Sequence, residues 1–172
     1  MKFSKSSNNV QFWKNWCIGK LITGMNPEDL NLALESFKKS IINIIRPELL
    51  ERLLHRKKNG ETILVVTASF QEAVSYTLKN QDFCVIGTQY CEKDGIFTDS
   101  IVEPMCFGEG KVQKILKWVE NCGHEVHFVE AWSDSLSDMP MMKLANKRVW
   151  ICNKSENQKF LDALPQGHCL NY

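Results

Sequence analysis

The sequence predicts an α/β domain, a doubly wound and mostly parallel sheet with a projecting β-hairpin and a helical segment ahead of it. Three observations predict this. Continuous apolar runs at residues 63–66 and 83–86 flank a segment of helical character, the pattern of a strand-helix-strand unit with buried strands. Two further runs, at 126–131 and 149–152, alternate with helical segments in the same way. Asp94-Gly95, set between strand-like stretches at 90–92 and 96–98, is a strong hairpin-turn signal.

Taken in order, residues 1–12 are polar, after which Phe12, Trp13, Trp16, Cys17, Ile18, Leu21 and Ile22 cluster at roughly helical spacing. Asn26 suits an N-cap and Pro27 a first helical position, while Glu28 and Asp29 favour the positive end of the helix. Leu30, Leu34, Phe37, Ile41 and Ile45 then recur at three to four residues, which makes this helix amphipathic. Arg46-Pro47 interrupts it and opens a second helix that turns Leu49, Leu50, Leu53 and Leu54 inward. That helix stops in the basic turn Arg56-Lys57-Lys58 before Gly60.

The strand at 63–66 closes at Thr67, and Ser69 caps a helix running to about Leu78. After Gly108-Glu109-Gly110 comes a helix with Val112, Ile115, Leu116 and Val119 inside, ended by Gly123. A third strand carries Val126, Phe128, Val129 and Ala131 into a polar loop at 133–138. A short helix through Met141, Met142, Leu144 and Ala145 leads to the strand at 149–152, and the polar tail holds a turn of helix around 160–164.

At 172 residues with 44% hydrophobic content, the chain buries enough surface to need no metal or disulfide staple. The balance of 21 Lys and Arg against 20 Asp and Glu argues against binding nucleic acid or a membrane surface through bulk charge. No apolar run approaches the ~20 residues that span a bilayer, and residues 1–9 hold no secretory h-region, so cytoplasm is the default compartment. Seven scattered cysteines without a CxxC pair fit neither a disulfide framework nor a zinc site and read as reduced thiols. His124 and His127 are assigned no site.

In such sheets ligands bind beyond the carboxyl ends of the strands. There, Thr67, Ala68 and Ser69 offer a hydroxyl and backbone N–H groups that suit a phosphate. Asp134 and Asp138 place two hard carboxylates in one loop, as Mg²⁺ requires, and Lys111 adds a compact positive charge. Singly, each has an ordinary reading: Thr67 opens a helix, the aspartates cap one, and Lys111 is a solvated lysine.

Together they resemble a family. Thr67 in "ILVVTAS", Lys111 in "CFGEGKVQKIL" and the pair Asp134 and Asp138 in "AWSDSLSDMPMMKLA" look like the second, third and fourth motifs of the haloacid dehalogenase-like (HAD) hydrolases, most of all the phosphoserine-phosphatase-like subclass. The hairpin "YCEKDGIFTDSIV" adds to the likeness, which covers about residues 24–153. The resemblance implies a Rossmann-like core over 46–172 behind a cap remnant over 1–45, and a Mg²⁺-dependent phosphomonoester hydrolase working through an aspartyl-phosphate. It assigns catalytic roles to Thr67, which bonds the phosphoryl oxygens with Ala68 and Ser69 beside it, and to Lys111, which neutralises charge. Asp134, supported by Asp138, becomes the Mg²⁺ site. The family usually has Gly where Ser133 stands.

The family's first motif, a DxDGT-like strand end carrying the nucleophile, is absent: the only aspartate between Met1 and Thr62 is Asp29, at a helix start. Without that strand the ones ending at Thr67 and Ala131 lack a neighbour, for which residues 9–13 are a weak substitute. Three readings follow: a truncated phosphatase inactive as this chain; a pseudoenzyme that binds phosphate ligands or a protein through Phe12, Trp13 and Trp16; or an enzyme completed in trans by a partner chain. The unfilled sheet favours a homo-oligomer or such a partner, and the substrate class is a small phosphomonoester.

Overall fold

The N-terminal residues form helix α1 (Ser4–Ile22), so residues 9–13, the weak substitute for a strand, are helical. A computed structural model describes residues 4–41 and 45–171, with the side chains of 4–9 and 41 outside the description. Tertiary packing fixes α1: Asn15 is buried, and at Gly19 the helix comes so near the hairpin that an added Cβ would lie 3.1 Å from the Asp99 carbonyl oxygen. Helix α2 (Pro27–Ile41) starts as expected, with Asn26 Oδ1 accepting from the N–H groups of Glu28 and Asp29 at 2.9 Å each. Its Leu30 and Leu34 are buried, whereas Phe37 is exposed. In α3 (Pro47–Lys58) the leucines expected inside are only half-buried.

Strand β1 (Leu64–Phe70) leads into α4 (Gln71–Leu78) and pairs in parallel with β2 (Cys84–Thr88), Leu64 opposite Cys84 and Val66 opposite Ile86. The strand runs past Thr67 instead of closing there, and the helix that Ser69 was expected to cap begins two residues later at Gln71. Ile63 is buried but Leu64, Val65 and Val66 are only half-buried, because β1 has a strand on one side only among the described residues. Strands β3 (Tyr90–Lys93) and β4 (Ile96–Ile101) form the hairpin. Asp94 and Gly95 both take positive φ, 53° and 76°, as its two-residue turn demands. Tyr90 and Phe97 pack edge to face on Phe70, at 5.4 and 6.1 Å, and close a core with Ile22, Leu30, Leu34 and Ala73.

These elements make one compact unit, Met1–Cys106; the helical segment 1–45 clusters within it. The second unit, Phe107–Tyr172, opens with α5 (Glu109–Cys122), which Gly123 ends in the left-handed conformation. Ile115 of α5 is buried, but Leu116, expected inside, is exposed. Strand β5 (Glu130–Ser133) begins later than the apolar run at 126–131, and a 3-10 turn (Leu136–Asp138) and α6 (Met139–Met142) carry the chain to β6 (Lys147–Cys152). The displaced residues still help: Val129 and Phe128 accept from the N–H groups of Lys147 and Asn146 at 3.0 Å.

The tail holds more structure than expected. Helix α7 (Asn157–Ala163) buries Phe160 against Trp150, ring centroids 4.9 Å apart, and β7 (His168–Asn171) pairs in parallel with β6, which also pairs in parallel with β5. At Gly167 an added Cβ would lie 2.9 Å from Trp150 Nε1, so only glycine lets β7 approach. Met142, Trp150, Cys152, Phe160 and Leu164 form this core. The whole is a mixed α/β fold whose sheets, apart from the hairpin, are parallel.

Candidate active site

The predicted site residues fall in two places, one in each unit: the second half of β1, and the end of β5 with the first turn of α5. In the first, Thr67 is half-buried in β1 and its Oγ1 accepts from the N–H of Ser69 at 3.1 Å. The Ser69 N–H, expected to be available to an anion, is thus bonded within the chain, while the Thr67 hydroxyl keeps its own proton to donate. The Ala68 carbonyl accepts from Gln11 Nε2 and from Thr88 Oγ1, each at 3.0 Å. The fully buried Thr88 accepts in turn from the N–H of Cys106 at 3.3 Å. Tyr90 OH donates to the Asn15 carbonyl at 2.7 Å; burial, then the charge of Glu72, pushes this phenol up to about 12. The hydrogen bonds named here run between neutral groups.

In the second unit Lys111, in the first turn of α5, is only 5% exposed, and its Nζ lies 2.7 Å from Asp138 Oδ1. The other carboxylate oxygen, Oδ2, accepts from Ser133 Oγ at 2.8 Å. Ser133 Oγ accepts from the N–H of Ser135 at 3.0 Å, and the Ser135 side chain caps the 3-10 turn by accepting from the N–H of Ser137. Capping there falls to a serine, which leaves Asp138 to the lysine. Asp134 projects from the same loop and is exposed. Thr67 belongs to the other unit, so within this one the structure brings Lys111 and Asp138 together beside the loop of Asp134.

The donor set suits a hard divalent cation: Asp134 is an exposed carboxylate, and Mg²⁺ usually takes one or two protein carboxylates plus water and substrate phosphate. Asp138 has both oxygens committed, one to Lys111 and one to Ser133. Among the described residues no group of three or more His, Cys, Asp or Glu side chains could hold a metal by itself. An ammonium has three donors, of which Asp138 takes one, so Lys111 retains donors for a phosphoryl oxygen. Sequence reasoning missed Ser133, Gln11 and Thr88; the small polar residue at the usual glycine position was the one signal that pointed to the first.

The family model of the haloacid dehalogenase-like hydrolases matches residues 18–143, and the chain belongs to that family. A probable phosphatase of Mycobacterium tuberculosis is 26% identical over 114 residues, 66% of this chain and 39% of that protein. The chain thus spans about two-fifths of the length of the curated relatives it matches. A protein of unknown function from Bordetella pertussis superposes with a TM-score of 0.80 at 17% identity, over 95% of this chain and 80% of that one. A probable phosphoserine phosphatase from Vibrio cholerae does so with a TM-score of 0.58 at 15% identity, over 97% and 47%. These structural likenesses carry the fold.

Proposed function

We propose that this chain carries the phosphate-binding and Mg²⁺-binding part of a phosphomonoester hydrolase site and that residues 1–172 do not complete the hydrolysis by themselves. The buried Lys111–Asp138 pair carries the reading. A lysine ammonium is withdrawn from water only where a fixed partner compensates it, and such a charge in the first turn of a helix, paired with Asp138, is placed to meet an anion. Within the second unit Lys111 neutralises phosphate oxygens and Asp134 holds Mg²⁺ with Asp138 in support. When bound, the cation neutralises charge on the phosphoryl group.

No DxDGT run occurs in the sequence, and the one aspartate before Thr62, Asp29, stands in the first turn of α2. That supports the reading that the nucleophile is missing. A second reading, completion by a strand from another chain, is favoured by β1 and β5, each paired on one side only among the described residues. The substrate class is a small phosphomonoester. The cytoplasm fits the seven free thiols; no described helix is long and apolar enough to cross a membrane.

Calorimetric titration of inorganic phosphate with and without Mg²⁺ tests the proposal. Binding that requires Mg²⁺ and is lost in Asp134→Ala is the expected result; phosphate binding indifferent to Mg²⁺ and to the substitution contradicts it.

A further inference from the structure

We propose that Ser133 is a positioning residue, its hydroxyl locking Asp138 so that the buried Lys111 ammonium and the Asp134 loop are held in one arrangement. This rests on the phosphate-site reading above. Ser133 stands buried at the end of β5, where the family usually has glycine.

Its single proton has two acceptors in reach, Asp138 Oδ2 at 2.8 Å and the Ser135 carbonyl at 3.4 Å, and the shorter bond to an ionised oxygen takes it. With Oδ2 engaged, the carboxylate cannot rotate freely, and Oδ1 is presented to Lys111 Nζ at 2.7 Å. The same serine oxygen accepts from the N–H of Ser135 at 3.0 Å. One side chain therefore ties residue 138, through its carboxylate, to the backbone of residue 135, and Asp134 lies on the segment between 133 and 135. A glycine here would make neither bond and would leave Asp138 Oδ2 without this partner. Groups that orient ligands from behind in this way typically alter metal affinity ten- to a hundredfold when removed.

The test uses the full chain and the Ser133→Ala, Ser133→Gly and Ser133→Thr variants, with thermal melts to confirm folding. Proton exchange of the Lys111 ammonium is followed in a ¹H–¹⁵N spectrum of lysine side chains, the signal assigned by its loss in Lys111→Arg. Mg²⁺ alone is titrated in parallel. Ser133→Ala and Ser133→Gly are expected to speed exchange at Lys111 and weaken Mg²⁺ binding, each on the order of tenfold, and Ser133→Thr to restore both. Exchange within twofold of the parent in folded Ser133→Ala overturns the proposal. Exchange that quickens in a protein that never bound Mg²⁺ upholds Ser133's role and overturns the phosphate-site reading instead. If Ser133→Thr packs badly, the Ala and Gly variants still decide the case.

Discussion

The two strand ends solve the same problem with different chemistry. Near the end of β1 the polar groups of Ala68, Thr88 and Cys106 are joined by neutral hydrogen bonds. At the end of β5 the partners are ionised, Lys111 with Asp138, and the serine hydroxyl serves a carboxylate. A neutral network costs little to desolvate and positions backbone, whereas a buried ion pair is costly to desolvate and gains little stability over a well-packed apolar pair. The contrast shows where the chain holds buried charge at a cost to folding.

Breaking the charged end should have the largest effect. Lys111→Met leaves the Asp138 carboxylate buried and uncompensated, with an expected loss of about 3–5 kcal/mol in denaturant unfolding. Lys111→Met combined with Asp138→Leu should recover most of it, since no charge is then stranded. Equal losses in the single and double variants would show that the pair is ordinary packing. At the neutral end, Thr88→Val keeps the shape but removes both bonds of the Thr88 hydroxyl, to the Ala68 carbonyl and from the N–H of Cys106, for which about 1–3 kcal/mol is expected by the same measurement.

The pH dependence sharpens the comparison, because each unit holds a group whose proton is bound more tightly in the folded state. Burial first, then the neighbouring Cys169 thiol and the charge of Glu156, pushes Cys152 up from 9.0 to about 11; Tyr90 in the other unit is raised from 10.0 to about 12. Each contribution to stability is complete below the unfolded pKa and is lost as pH rises through the folded one, since the unfolded chain releases the proton first. Urea midpoints should therefore hold near pH 8, decline between pH 9 and 11, and decline further towards pH 12. Cys152→Ala should remove the earlier decline and keep the later one. The smallest effect is expected at the surface: Asp99→Asn breaks the exposed pair with Lys20 and should leave the midpoint unchanged within error.

Local signals in the sequence were enough to read the N-cap at Asn26, the Asp94-Gly95 turn, the parallel β1–β2 unit and the end of α5 at Gly123. Elements decided by distant contacts were not legible. Strand β7 has a short, mostly polar sequence and exists because Gly167 lets it lie against Trp150. Residues 9–13 are helical because Asn15 and Gly19 dock on the hairpin. At the site, residue types and order pointed to Lys111, Asp134 and Asp138, yet nothing local said that the lysine is buried or that Ser133 grips the carboxylate. Hydrogen bonds between residues 5 and 27 positions apart are set by the fold, which composition and spacing describe only in outline.

The central claim is that the charged strand end is equipped to bind a phosphate and Mg²⁺ while residues 1–172 lack the nucleophile. Hydrolysis of a generic aryl phosphate by the purified chain, with and without Mg²⁺ and against Asp134→Ala, tests it most directly. The account predicts no Mg²⁺-dependent turnover above that of the variant. Mg²⁺-dependent turnover that Asp134→Ala abolishes would contradict it and would mean that a residue within the chain serves as the nucleophile.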